Sequence, residues 1–281
     1  MKRTLRTLVV AVSAAAATLP LMGTTAAHAA GTRKAPPGYV VVDSGDIPIP
    51  PGQAGSGGSV SCPPGTVPWG GGVGFGGIPS LGEDINSSAP TDVGWTGRFN
   101  NRTSFMGQTF GLDAICANEP PGYTMRFKSV SNPALTQSFA IATCPTGTVV
   151  LSGGALSSSI SINASLLSAW PQSMHKFKAV MWNGSVTDEQ LTTFAICGQK
   201  PPSYSITQQT FTDMGGPSIN LTGTSCPVRT SVIGGGVHVS TARPEVTLAA
   251  SVEDAGFLWD TDVMNSAVAP ETSTTYAICA A

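Results

Sequence analysis

The chain has 281 residues, of which 41% are apolar and only 11% charged, with 33 Gly and 22 Pro. That apolar fraction suffices for a buried core and excludes a disordered chain, while sparse charge and abundant turn formers favour an all-β protein. A formal net charge of −2 gives no electrostatic basis for general nucleic-acid binding.

The first element is not part of the fold. Lys2, Arg3 and Arg6 precede an apolar stretch, "LVVAVSAAAATLPLMG", and "AHA" at Ala27–Ala29 offers small residues for a signal peptidase. This three-part pattern predicts a secretory signal peptide over 1–29, cleaved after Ala29, with a short extension over 30–35. Pro20 and Gly23 interrupt the stretch, which argues against a membrane anchor, and no later apolar run is long enough to span a bilayer. Export implies an oxidising compartment, where six cysteines read as three disulfides. Three of the 14 Lys+Arg lie in the signal, leaving 11 against 16 Asp+Glu, a net charge of −5 after cleavage.

The remainder repeats. Cys62, Cys144 and Cys226 are spaced by 82 residues, as are Trp95, Phe177 and Trp259, and Asn101, Asn183 and Asn265. Cys116, Cys197 and Cys279 each close an "AIC" segment, and glycines recur at Gly70–Gly72, Gly153–Gly154 and Gly234–Gly236. "PPGY" or "PPSY" at Pro36–Tyr39, Pro120–Tyr123 and Pro201–Tyr204 marks the start of each copy. Agreement at one period defines a triplication with units 36–119, 120–200 and 201–281.

Within a unit, residues alternate between buried and solvent sides: Trp95, Gly97 and Phe99 on one, Thr96 and Arg98 on the other. No amphipathic helical period appears. Three-residue joints leave no flexible linker, so the three disulfide-stapled β units of about 82 residues should pack with pseudo-three-fold symmetry, like a β-prism. Three small sandwiches in a row are the alternative. Six cysteines allow 15 pairings, and three-fold symmetry reduces these chiefly to pairing within each unit or between successive units. The within-unit set, Cys62–Cys116, Cys144–Cys197 and Cys226–Cys279, is favoured. The unit "CPxGTxVxGGG…W…N…YAIC" resembles a repeat of secreted bacterial proteins. The resemblance covers the whole chain after the signal, implies export and tandem β units, and transfers no functional residue.

Catalytic chemistry finds little support. His175 and His238 occupy non-equivalent positions outside any nucleophile motif, and the glycine runs lack a following "GK[ST]". Glycines at a fixed place in a β unit predict bulges or close strand approach. Trp95, Phe177 and Trp259 read as core, and the repeated Asn residues as turn residues, with Asn183-Gly184 suited to a tight hairpin. Asp260 and Asp262 read as a solvated strand face rather than a calcium site. Neither a cofactor nor a metal is expected, and the protein is expected not to be an enzyme.

What does not repeat is more informative. The second unit alone carries Trp170 and Trp182, with His175, Lys176 and Lys178 close by. That unit has five Lys+Arg against two Asp+Glu, while each flanking unit has two against seven. Aromatic and cationic side chains on a small-polar surface suit stacking on sugars or anchoring a protein. The expected function is therefore a secreted, non-enzymatic binding module, lectin-like or adhesin-like, acting on cell-surface or extracellular polymer through Trp170, His175, Lys176, Lys178 and Trp182. The alternative is a structural envelope protein or an adaptor in a secreted assembly, self-associating through oppositely charged units.

Overall fold

Glycine, Thr, Val and aromatic residues in alternating runs build strands, and a computed structural model contains 19 of them and no helix among the described residues. It describes residues 33–281 except 77–79, 104–105, 214 and 242. The signal peptide expected over 1–29 lies outside the described residues.

The first unit contributes β1 (Val40–Asp43), β2 (Ile47–Ile49), β3 (Ser56–Ser61), β4 (Val67–Phe75), β5 (Glu83–Thr91), β6 (Gly94–Asn101) and β7 (Gln108–Ala117). The second contributes β8 (Thr124–Asn132), β9 (Thr136–Thr143), β10 (Val149–Ser157), β11 (Ala164–Ser173), β12 (Lys176–Asn183) and β13 (Glu189–Gly198). The third contributes β14 (Ser205–Thr212), β15 (Ser218–Ser225), β16 (Ser231–Val239), β17 (Val246–Asp254), β18 (Leu258–Asn265) and β19 (Thr272–Ala280).

These strands form three antiparallel sheets, and no sheet belongs to one unit. Sheet A runs β1-β7-β4-β17-β18-β15, with β2 also on β7; sheet B runs β3-β6-β5-β10-β13-β8; sheet C runs β14-β19-β16-β11-β12-β9. Each unit thus gives half of one sheet and half of the next, closing a three-sided prism with pseudo-three-fold symmetry. Three separate sandwiches are ruled out, because a sandwich would keep both of its sheets within one unit. The halves join where β5 meets β10, β11 meets β16 and β17 meets β4, centred on Ser88↔Ala155, Ala169↔Val237 and Ser251↔Val73.

The repeated residues take their roles from this arrangement. In each unit one glycine (Gly71, Gly153, Gly235) seats the aromatic ring of Trp95, Phe177 or Trp259, where a Cβ would fall inside the ring's van der Waals surface. The next glycine (Gly72, Gly154, Gly236) admits the backbone of the neighbouring unit's strand at the junction. Trp95 and Trp259 donate their indole N–H to Ser88 Oγ and Ser251 Oγ, each at 3.0 Å. The second unit has Phe177, which has no N–H to satisfy, and Ala169 stands in place of the serine. The three aromatics are 1–2% exposed, a core role as the alternation predicts.

A bulge just before these glycines pushes out Trp69, Leu151 or Ile233. The tyrosine of each PPxY motif donates its hydroxyl to the backbone carbonyl preceding that bulge in another unit: Tyr123 to Pro68 at 2.8 Å, Tyr204 to Val150 at 2.7 Å and Tyr39 to Val232 at 2.8 Å. The last bond closes the ring from unit one to unit three.

The disulfides are Cys62–Cys116, Cys144–Cys197 and Cys226–Cys279, each with Cα atoms 5.6 Å apart. In every case one cysteine follows a strand of one sheet and its partner lies on a strand of the next, so each bridge staples a prism edge.

Asn101, Asn183 and Asn265 do not make hairpin turns. They are fully buried, and β12 and β13, which flank Asn183-Gly184, lie in different sheets. Asn183 donates to Asn132 O at 2.8 Å and Thr187 O at 2.9 Å, and it accepts from the Ser185 amide at 3.0 Å. A buried amide holds the loop that carries the chain from one sheet to the next, a task needing both donors and acceptor.

Candidate binding face

On β12, alternation turns Phe177, Ala179 and Met181 into the core and Lys176, Lys178, Val180 and Trp182 onto the outer face of sheet C. Register then decides which neighbours join them. Lys178 lies opposite Trp170 on β11, Trp182 opposite Ser165, and Val180 opposite Phe139 on β9. Across the junction, β16 brings His238 against Trp170, with ring centroids 4.4 Å apart and planes tilted by 34°. The Lys178 ammonium sits 4.4 Å from the Phe139 centroid and 5.2 Å from that of Trp170. Tyr276 on β19 and Trp182 pack, partly buried, against a small apolar cluster of Leu167, Trp170 and Val180.

Of the five residues expected to form a site, the structure thus brings together Trp170, Lys178 and Trp182. Trp170 is only 6% exposed, roofed by its neighbours, whereas Phe139 is 57% exposed. Lys176 is exposed at the start of β12, on the same strand side. His175 is not part of the cluster: it lies in the β11–β12 turn, and its ring nitrogen Nδ1 sits 2.8 Å from the Thr148 carbonyl. His238, Phe139 and Tyr276 take part although sequence reasoning passed over them. The only signal for His238 was its register, 82 residues after Leu156, and that says nothing until the sheets are known. Burial, aided by the Lys178 charge, pushes the His238 pKa down, so its ring is neutral at pH 7. The cluster is therefore aromatic with a lysine cation held between rings.

The pseudo-symmetry repeats the positions but not the chemistry. Tyr276, Phe194 and Asp113 are equivalent, paired with Gly236, Gly154 and Gly72. Lys178, Thr96 and Asp260 are likewise equivalent, paired with Trp170, Ala89 and Val252. Sheet C is aromatic and cationic, sheet B carries Phe127 beside Phe194, and sheet A carries carboxylates. Asp43 pairs directly with Asp113 there, and a shallow depression of about 280 Å³ lies between Asp43, Asp113, Asp254 and Asp260. Among the described residues, no group of three or more His, Cys, Asp or Glu is placed to hold a metal ion.

Burial, reinforced by Asp43, Glu253 and Asp254, pushes the Asp113 pKa up to about 7. Burial beside Asp260 pushes Asp262 up to about 6. An unfolded Asp titrates near pH 3.9, so between about pH 4 and pH 7 the folded state holds the extra proton. Stability from these groups is complete below pH 4 and is lost as pH rises through 7. Asp113→Asn should therefore raise stability at pH 8 by about 1 kcal/mol, the full linkage value being reduced by solvent screening of this half-open face. Thermal unfolding of both proteins at pH 5 and pH 8 checks this, the variant showing the smaller difference between the two.

A scan against protein-family models matches none of them, and a search of curated proteins returns no relative. No helix among the described residues is long and apolar enough to cross a membrane.

Proposed function

We propose that the protein is an exported, non-enzymatic binding module, lectin-like or adhesin-like, whose sheet C face engages an extracellular glycan or polymer bearing negative charge. The observation that carries this reading is the convergence of Trp170, Lys178 and Trp182 with Phe139, His238 and Tyr276 on one outer face. Aromatic faces stack on the C–H surfaces of sugar rings, and a cation already desolvated between rings attracts an acid group on the same ligand. The rings are braced by strands rather than loops, so little order is lost on binding. Export rests on the pattern of residues 1–29, and the three disulfides are compatible with an oxidising compartment.

The test is retention on insoluble cell-wall and acidic polysaccharide preparations. Wild type should be retained, and Phe139→Ala/Trp182→Ala, which removes the two more accessible rings, should weaken retention about tenfold or more. Equal retention of both proteins would overturn this reading. A second reading, self-association, is favoured by the carboxylates that sheet A carries where sheet C carries aromatics and lysine. Sedimentation at low salt then shows oligomers that dissociate at high salt, and a monomer at low salt rejects it.

A further inference from the structure

The end of the prism where each AIC strand finishes holds a cavity that the sheet C face does not use. Three Pro-Pro corners, Pro36–Pro37, Pro120–Pro121 and Pro201–Pro202, converge there around the pseudo-three-fold axis and enclose about 320 Å³. Trp69 lines it from within the prism. The equivalent bulge residues are Leu151 and Ile233, both fully buried and away from the cavity wall, so the indole is a departure from the repeat.

The walls are rigid for a physical reason. Proline fixes φ, and each corner is hydrogen-bonded twice. Within the turn, Tyr39, Tyr123 and Tyr204 donate their amides to Pro36, Pro120 and Pro201 carbonyls at 3.1, 3.1 and 3.3 Å. From the strand ends, Asn118, Gln199 and Ala281 donate to Pro37, Pro121 and Pro202 carbonyls at 2.9, 2.8 and 3.0 Å. A cavity with such walls stays open without a ligand and pays little ordering cost on filling.

Its chemistry is selective. Prolines bring ring C–H groups and no N–H, and the Trp69 N–H is already donated to Asn118 O at 3.0 Å. The wall backbone therefore has few free donors to offer the hydroxyls of a sugar, and sugar recognition would leave polar groups unpaired. Polar side chains stand only at the exposed rim, including Glu119 and Lys200, which balance in charge. The volume lies at the lower end of the range for small-molecule sites. We infer that this axial cavity is a second binding site, taking an uncharged small molecule with one or two fused aromatic rings, packed between proline rings and Trp69.

The test is titration of ¹⁵N-labelled protein with 2-naphthol, following the indole N–H signals of the five tryptophans. A saturable shift is expected at Trp69, with a dissociation constant of about 1 mM or tighter, while Trp170 and Trp182 stay in place. Gln199→Trp, at an exposed rim position, should fill the mouth and weaken binding at least tenfold (about 1.4 kcal/mol) without disturbing the fold. Trp182→Ala should leave naphthol binding unchanged, which separates this site from the sheet C face. No shift at Trp69 up to 5 mM (about fivefold the expected dissociation constant), shifts confined to other tryptophans, or unchanged affinity in Gln199→Trp would each overturn the inference.

Discussion

Gly154→Ala should destabilise the protein by more than about 3 kcal/mol, at the upper end of overpacking costs. A Cβ at this position meets the Ser88 carbonyl oxygen and would lie 2.9 Å from the Ala89 Cα, both backbone atoms of β5 in the neighbouring unit. Side chains can rotate away from an added methyl, whereas a backbone strand can only separate. Here separation means opening the β5–β10 junction, which is centred on the single pair Ala155↔Ser88. Gly111→Ala is the control. It lies within β7, and a Cβ there has nothing within 4 Å, so the change should be neutral or stabilise by about 0.5 kcal/mol through lost chain freedom. Urea unfolding of the two variants against wild type measures both effects. An equal midpoint for Gly154→Ala would mean that the junction is looser than its geometry.

Replacing Cys144 and Cys197 together by Ala should cost about 4 kcal/mol, the loop-closure entropy returned to the unfolded chain. The sequence separations are 54, 53 and 53 residues, so the three bridges should contribute nearly equally. Their losses should also add, because each closes its own loop within its own unit. Removing all three would then cost about 12 kcal/mol, comparable with the whole stability of an ordinary domain. The fully reduced chain is therefore expected to be unfolded, as loss of both near-ultraviolet dichroism and cooperative melting would report. Cooperative unfolding of the reduced protein near the oxidised midpoint would show that sheet sharing and the tyrosine bonds suffice without the staples.

The third prediction set, on Asp113, follows the same logic from a different source. There the folded state concentrates carboxylates from two units on one face, and protonation relieves the repulsion.

Much of the architecture was legible before any coordinates. The period located the cysteine pairs, and alternation placed Trp95, Phe177 and Trp259 in the core, because a strand buries every second residue whatever sheet it joins. The glycine pairs read correctly as close approaches, since an invariant place for a residue without a Cβ has few other meanings. Asn183 misled because Asn-Gly is a strong hairpin signal in a local sense, while its buried amide serves a crossing between sheets that only the fold creates. His238 and Phe139 were invisible as site residues for a related reason. Each reaches Trp170 or Lys178 across strand pairings that join different units or distant parts of one unit.

The sequence by itself determined the all-β class, the three copies, the favoured pairing of cysteines and the residues that fill the core, all properties set by spacing along one chain. Only the tertiary structure decided that each unit divides itself between two sheets, and therefore which side chains share an outer face. Strand register is settled by backbone hydrogen bonds between segments that may be 80 or so residues apart, as β11 with β16 and β17 with β4. That pairing turned one repeated set of positions into a carboxylate face, a phenylalanine face and an aromatic–lysine face.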